Sequence, residues 1–308
     1  MIKPFLLRID GLSPYAKGMW LGLFAMMLFG LTLPMTRMAT GSLLSPQLSP
    51  WFVTFGRAVV AAGLSLMLLV LMRAPLPERM HWKPLVVASL GNVIGYPLLL
   101  AIALRSVSAS HAAVITALLP LVTAVVAALT FRQRATFAFW FCAALGTALV
   151  VVYSIARSMW TESAFRLEWA DFLLVAAVLA ASIGYVQGAL LTPKLGAERV
   201  ICWVTVVALP VSLPLAIVSW PSVAISASAW AGFAYVGTFS MWLALFAWYR
   251  ALAVGGAIRV SQVQLLQPFF AMLFAVPLLG ETLDMLTLGF CVAVVTTVYI
   301  GKRMSNPA

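Results

Sequence analysis

The stretch ALRSVSASHAAVITALLPLV at residues 103–122 has a counterpart in ALAVGGAIRVSQVQLLQPFF at residues 251–270. The two align at an offset of 148 residues, and five identical residues coincide, one of them a proline. Two further pairs of segments match in the same order along the chain: FGLTLP (29–34) with IGYVQG (183–188), and FCAALGTALVVVY (141–153) with FCVAVVTTVYIGK (290–302), the last with one residue of slippage. We therefore predict that the chain consists of two halves that repeat one another.

The composition indicates a membrane protein. Of the 308 residues, 64% are hydrophobic and only 9% are charged, too few to cover a soluble protein of this length. Apolar runs of about 20 residues, enough to cross a ~30 Å hydrocarbon layer, recur along the chain. They predict ten spans, at residues 18–38, 50–72, 84–104, 108–130, 135–154, 169–191, 198–219, 228–249, 256–279 and 283–301. The predicted fold class is an all-α polytopic membrane protein with ten transmembrane helices.

Two halves of five spans each must enter the membrane from opposite sides, because five is an odd number. We predict a first five-helix repeat at 1–154, an extracytoplasmic linker at 155–168 and a second, inverted repeat at 169–308. Inverted repeats are typical of secondary transporters, whose substrate sites lie near the membrane midplane. An ancient duplication without a transport role is the alternative.

Lysine and arginine are distributed unequally between the two sides of the predicted bundle. Thirteen lie on the side of the N-terminus and four on the other, and two fall within spans. The positive-inside rule therefore places both termini in the cytoplasm, in a multi-pass protein of the bacterial cytoplasmic (inner) membrane.

Several function classes are disfavoured by the sequence. The net charge of +11 comes without a basic cluster interleaved with aromatics, so we expect no nucleic-acid partner. The three cysteines lie in apolar runs and predict neither a disulfide framework nor a metal site. The motifs GxxxxGK[ST], HExxH and GxSxG are absent, so we expect neither an enzyme nor a cofactor. The expected partners are a small-molecule substrate and membrane lipid, and monomer and homodimer both remain open.

None of the eight acidic residues lies in the middle of a predicted span. Proton-coupled carriers commonly use a buried carboxylate as the relay. We therefore expect facilitated movement rather than proton antiport, although a histidine could still serve as relay.

The ninth predicted span combines amides with a proline. Pro268 cannot donate to the carbonyl of Gln264, and Ser261, Gln264 and Pro268 share one helical stripe. In the fourth span Pro120 stands in the same relation to Thr116. Such breaks are tolerated in a membrane where protein or a watery cavity satisfies the freed groups. These residues either line a substrate cavity or hold the helices together by hydrogen bonds.

Three other spans carry polar and aromatic residues near their middle. We include them as candidates for binding substrate, with helix packing as the alternative. They are Ser89, Asn92 and Tyr96 in the third span, Ser240 and Trp242 in the eighth, and Tyr185 and Gln187 in the sixth.

Two arginines and one histidine also lie within predicted spans. Arg57 lies about 10 Å along the second span, where it could pair with a substrate carboxylate or cap carbonyls. Arg259 lies nearer a membrane surface and can extend towards water, which favours a structural role. His111, near the outer end of the fourth span, is a candidate for packing or gating rather than for ligand binding.

The chain resembles the drug/metabolite transporter superfamily in its ten-helix EamA type. The residues that carry this resemblance are FG at 29–30, Arg57 in TFGRAV, the prolines of both fourth spans, and LLGETLDMLTLGF at 278–290. The first half departs from the pattern, because TFRQRATFAF at 130–139 has no counterpart of Glu281. Within the superfamily the layout resembles the YddG-type aromatic amino acid exporters.

The resemblance implies a carrier that works by alternating access. Spans one to four and six to nine would enclose its cavity, and spans five and ten would lie outside. The predicted function is export of amino acids, aromatic ones among them, or similar small metabolites. Efflux of hydrophobic or cationic drugs is the main alternative, and a membrane-embedded enzyme or accessory protein is a remote one.

Overall fold

In a computed structural model, the described part of the chain consists of helices joined by loops. The structure describes residues 13–131, 169–255 and 260–282, and scattered residues within 137–156 and 285–297. The predicted fifth and tenth spans, at 135–154 and 283–301, therefore lie largely outside the described residues.

The other eight predicted spans each correspond to one or more helices. In chain order the helices are Pro14–Gly30 and Thr32–Thr40, Pro50–Leu71, Trp82–Ser89 and Tyr96–Ala103, Ala109–Thr116 and Leu119–Phe131, Trp169–Leu195, Ala197–Val218, Ala227–Tyr235 and Ala244–Gly255, and Gln267–Leu279. Within the described residues, six helical segments are long and apolar enough to cross a membrane: Pro14–Thr40, Pro50–Leu71, Arg79–Ala103, Trp169–Leu195, Ala197–Val218 and Ala227–Leu252.

Serine caps explain where several of these helices begin. Ser13, Ser49 and Ser226 each accept a hydrogen bond from the backbone N–H three residues later, at 3.0–3.3 Å. Ser13 and Ser49 are each followed by a proline. At the first position of a helix the missing N–H of proline costs nothing, because that N–H would have no partner within the helix. The Ser-Pro pairs between the apolar runs thus act as helix starts.

Five of the spans are interrupted by a change of helix type or by a turn. The fourth is broken at residues 117–118, and the ninth begins as a 3-10 helix, Ser261–Leu266, just before Pro268. These two interruptions were predicted from Pro120 and Pro268. Three others were not: a turn at Leu31 in the first span, and π-helical segments in the third (Leu90–Gly95) and the eighth (Val236–Leu243).

Glycines permit close approach between the spans at several crossings. Gly18 of the first span packs directly on Gly255 of the eighth, and Gly91 of the third packs on Ala180 and Gly184 of the sixth. A side chain at Gly18, Gly91 or Gly255 would collide with the backbone of the neighbouring helix, and one at Gly184 would collide with the side chain of Asn92. Helices in a membrane associate through small residues of this kind.

The buried apolar side chains of the described residues form three clusters. A large cluster occupies the end of the bundle where the first span begins and draws on seven spans; it includes Met26, Ala61, Leu85, Leu191, Ile201, Trp248 and Val263. Two smaller clusters occupy the opposite end. One includes Leu33, Leu100, Ile115, Leu174 and Met272, and the other Leu48, Phe52, Val53 and Val236. The core is thus continuous at one end and divided at the other.

Candidate functional site

Arg57 lies about two turns into the helix Pro50–Leu71 and is only 3% exposed. Its Nε and Nη1 atoms are buried and donate to no acceptor within the described part of the chain. The second span here faces the π-helical segment of the eighth, since a Cβ added at Gly237 would lie 3.6 Å from the Cα of Arg57. A buried charge without a partner is costly, so this position is unusual for a side chain with only a packing role.

Two tyrosines belong to helices that pack around the span of Arg57. Tyr96 begins the helix Tyr96–Ala103, which contacts both Pro50–Leu71 and the helix of Tyr185, Trp169–Leu195. Tyr96 is 9% exposed, whereas Tyr185 is half-buried and packs against both the large cluster and the cluster around Leu100. The second, third and sixth spans therefore meet near Arg57, where the large cluster adjoins the cluster around Leu100.

Asn92 lies in the π-helical segment of the third span and packs against Gly184. A Cβ added at Gly184 would lie 2.5 Å from Oδ1 of Asn92, so the amide occupies space that only glycine leaves open. Oδ1 is buried and accepts no hydrogen bond from the described residues. Asn92 therefore places a buried hydrogen-bond acceptor against Gly184, the residue that precedes Tyr185 on the facing helix.

Ser240, the counterpart of Asn92 at the offset of 148, lies in the π-helical segment of the eighth span. Its hydroxyl shares a hydrogen bond with that of Thr32 in the first span, with 2.8 Å between the two oxygens. Tyr235 of the same span donates to the carbonyl of Leu28, at 2.9 Å, beside the turn at Leu31. Unlike Oδ1 of Asn92, the hydroxyl group of Ser240 thus has a hydrogen-bond partner among the described residues.

Trp242 combines a ring contact with an unused donor. Its ring packs edge-on against Phe246, with 4.9 Å between centroids. Its Nε1–H is buried and finds no acceptor among the described residues. A large apolar face and a hydrogen-bond donor are therefore both present at this position.

Gln264 is buried, with 5% of its surface exposed, but its backbone differs from our expectation. We expected the carbonyl of Gln264 to be freed by Pro268. Instead it accepts a hydrogen bond from the N–H of Gln267, because this turn tightens into a 3-10 helix. The prediction that Pro268 leaves this carbonyl without a partner was therefore wrong, whereas the side chain of Gln264 remains a candidate.

Thr116 directs its hydroxyl group back onto its own helix. Oγ1 donates to the carbonyls of Ala112 and Ala113, at 2.9 and 3.2 Å. Its hydroxyl hydrogen is therefore already used, and only the lone pairs of Oγ1 remain for a substrate.

The remaining candidates are less informative. Ser89 is buried, Gln187 is half-buried, and Pro268 is buried at the start of its helix. Arg259 and the side chains of Pro120 and Ser261 lie outside the described residues. Within those residues, no group of three or more His, Cys, Asp or Glu side chains could hold a metal ion.

Polar contacts that sequence reasoning did not foresee join the ends of the fourth, sixth and ninth spans. Nε2 of His111 lies 2.7 Å from Oδ1 of Asp171, in the first turn of the sixth span. Glu281 accepts hydrogen bonds from the backbone N–H groups of Ala109 and Ser110, at 3.0 and 3.1 Å. The GET sequence around Glu281 supported the family resemblance, but its partners lie more than 170 residues earlier in the chain.

Known proteins resemble this chain over nearly its full length. The sequence model of the EamA-like transporter family matches residues 16–155 and again residues 168–301. The "Uncharacterized transporter YdeK" of Bacillus subtilis (strain 168) is 35% identical over 287 residues, which cover 92% of this chain and 96% of that protein. One crystal structure matches with a TM-score of 0.68 at 18% identity, covering 93% of this chain and 98% of the other, so the two share a fold. The chain belongs to the EamA-like transporter family, within the drug/metabolite transporter superfamily.

Proposed function

We propose that this transporter exports amino acids, aromatic ones among them, or similar small metabolites, and that it does so without coupling to protons. The observation that carries the proposal is a set of buried polar atoms on three spans: Nε and Nη1 of Arg57, Oδ1 of Asn92 and Nε1 of Trp242 find no partner among the described residues. Buried polar groups are normally hydrogen-bonded, so three such side chains favour a ligand. An amino acid has a carboxylate, an ammonium group and a side chain, which are complementary to these groups.

Besides Arg57 of the second span, the proposed substrate contacts come from the third, fourth, sixth, eighth and ninth spans. They are Ser89, Asn92, Tyr96, Thr116, Tyr185, Gln187, Ser240, Trp242, Ser261 and Gln264. Pro120 and Pro268 would set the helix breaks around them, and His111 would act at the outer end through its contact with Asp171.

We infer that the chain consists of two inverted five-helix repeats, at 1–154 and 169–308, joined by a linker. The double match of the family model supports this organisation. So do the two π-helical segments, because the offset of 148 carries Leu90–Gly95 onto residues 238–243 within Val236–Leu243. The contacts of these segments agree as well: the third span meets the sixth at Asn92 and Gly184, and the eighth meets the first at Ser240 and Thr32.

We propose that transport proceeds by alternating access across the cytoplasmic (inner) membrane, with both termini in the cytoplasm. With that orientation the large apolar cluster lies in the cytoplasmic half of the bundle, and the two separate clusters lie in the outer half. A core closed inside and divided outside fits an outward-facing state. Rocking of the two repeats would then join the outer clusters and open the inner one.

Counterflow in liposomes that contain only the purified chain tests this function. Vesicles would be loaded with unlabelled phenylalanine, and the uptake of labelled phenylalanine, labelled threonine and labelled tetraphenylphosphonium would be compared with that of protein-free vesicles. We expect protein-dependent uptake of the amino acids. Uptake of the lipophilic cation alone would support drug efflux instead, and uptake of none of the three would contradict amino acid export.

A further inference from the structure

We propose that Arg57 is the anion-binding residue of the transporter, which pairs with the carboxylate of the transported molecule. The substrate class would then be small organic acids with an apolar part, including zwitterionic amino acids. This inference deepens the proposed function and rests on the same site.

The first argument is the contrast between Arg57 and a second arginine of the bundle. Nη1 of Arg37, in the last turn of Thr32–Thr40, donates to the carbonyl of Leu104 in the third span and so joins two helices. Arg57 is 3% exposed, yet its Nε and Nη1 have no such acceptor within the described residues. Arg37 therefore has the contact expected of a structural arginine, and Arg57 lacks it.

The second argument is that the carboxylates described near the spans have other partners. Asp171 lies against His111, Glu198 pairs with Arg250 at 3.1 Å, and Glu281 binds the backbone of the fourth span. Each of these acids lies near the end of a span, whereas Arg57 lies two turns inside one. Within the described residues, the charge of Arg57 is therefore left for a group that comes from outside the protein.

The third argument is the chemistry around the guanidinium group. Its planar fork of N–H donors fits the two oxygens of a carboxylate. The hydroxyl groups of Tyr96 and Tyr185, on helices that pack around this span, can donate to the remaining lone pairs of the same carboxylate. Asn92 adds an acceptor, Oδ1, which lies against Gly184, the residue before Tyr185, and to which an ammonium group could donate. The site therefore favours an anion at Arg57 and tolerates a cation beside it.

Three compounds of similar shape separate these groups: phenylalanine, 3-phenylpropionate without the ammonium group, and 2-phenylethylamine without the carboxylate. Their binding to the purified parent would be measured by thermal-shift titration, which does not depend on transport. We expect phenylalanine and 3-phenylpropionate to bind at least about tenfold more tightly than 2-phenylethylamine, because a hydrogen-bonded charge pair is lost with the carboxylate.

The variant Arg57→Gln should weaken binding of both carboxylates by roughly ten- to a hundredfold and should not weaken that of 2-phenylethylamine, because it removes a charge of the same sign as the ammonium group. Arg57→Lys, which keeps the charge but loses the fork, should fall between the two. Without ligand, Arg57→Gln should melt at or above the temperature of the parent, because it removes an unpaired buried charge. The control Arg37→Gln should melt at a lower temperature, since it breaks the bond to Leu104.

Equal binding of phenylalanine and 2-phenylethylamine to the parent would overturn the role of Arg57, as would binding of none of the three compounds. A lower melting temperature of ligand-free Arg57→Gln with unchanged carboxylate binding would show a structural arginine. Failure of the proposed function gives a different pattern: 3-phenylpropionate binds through Arg57, but phenylalanine neither binds nor exchanges. Conversely, Arg57→Gln could exchange phenylalanine as fast as the parent does. That result would support the proposed function and would show that Arg57 does not bind the carboxylate.

Discussion

Glu281 and Ser110 are 171 residues apart in the chain, and the carboxylate of Glu281 accepts hydrogen bonds from both the backbone N–H and the hydroxyl group of Ser110. A further bond comes from the N–H of Ala109. The first N–H groups of a helix have no partner within it and carry a partial positive charge, so a carboxylate stabilises them. The loop after the ninth span thus caps the start of the fourth.

Glu281→Ala should lower the stability of the protein. The loss of a helix cap typically costs about 0.5–2 kcal/mol, and we expect a value in this range because two backbone N–H groups lose their acceptor. The free energy of unfolding would be measured by titration with sodium dodecyl sulfate in mixed micelles. The control is Glu78→Ala, since Glu78 is exposed before the third span and makes no side-chain cap. Equal stability of the two variants would contradict the capping role.

A second stability prediction concerns the crossing of the third and sixth spans. Gly91→Ala would place a Cβ against the carbonyl of Ala180 and 3.0 Å from the Cα of Gly184. Because both are backbone atoms, the helices must move apart, at a cost of about 1–3 kcal/mol. Gly63→Ala is the matched control, since nothing lies within 4 Å of its added Cβ. The same unfolding titration should show a loss for the first variant alone, and comparable losses would argue against the close crossing.

The sequence predicted the positions of the helices that correspond to eight of the ten predicted spans within a few residues, because the length of an apolar run and Ser-Pro caps are local properties. It also predicted interruptions beside Pro120 and Pro268, since proline removes a helical N–H. The π-helical segment Leu90–Gly95 was missed although Pro97, which cannot donate to the carbonyl of Val93, follows it. The bond of the Gln264 carbonyl was missed because a 3-10 turn replaces the one that Pro268 removes.

For the candidate site, the sequence placed Arg57 inside a span but left its partners open. Whether a buried arginine caps a carbonyl, as Arg37 does, depends on contacts between helices that are distant in the chain. The same holds for Asn92, whose amide occupies space that Gly184 of another span leaves open. Residue type and depth could be predicted for these residues, whereas the absence of a partner required the structure.

The proposed orientation predicts which loops can be labelled from outside the cell. Leu44 lies in the loop after the first span and is 98% exposed, and Leu76 lies in the loop after the second and is 76% exposed. In a background without native cysteines, an impermeant thiol reagent should label Leu44→Cys in intact cells and Leu76→Cys only after lysis. Labelling of both in intact cells, or of Leu76→Cys alone, would contradict cytoplasmic termini.

Transport should follow the substrate gradient and should not need a pH gradient. The acids that the structure describes lie at the ends of spans, and Asp171 already contacts His111. Counterflow of labelled phenylalanine would be measured with equal substrate gradients, with and without a proton ionophore. We expect equal initial rates. If the ionophore abolishes counterflow, His111→Gln and Asp171→Asn would show whether this pair serves as the relay.

The last prediction separates substrate binding from helix packing at Trp242 and Gln264. Trp242 offers an apolar ring face, so Trp242→Ala should reduce transport of phenylalanine about two- to twelvefold more than that of threonine, which has no ring to pack against it. Gln264→Ala removes a buried amide and should reduce transport of both substrates about two- to twelvefold.

The measurement is the initial rate of counterflow at matched protein levels, with Trp20→Ala as the control because Trp20 is 61% exposed on the first span. Selective loss of phenylalanine transport in Trp242→Ala, with Trp20→Ala like the parent, would assign the ring to the cavity. If Trp242→Ala and Gln264→Ala both transport both substrates like the parent, the two side chains hold helices together instead. The cavity would then be lined by other faces of the eighth and ninth spans.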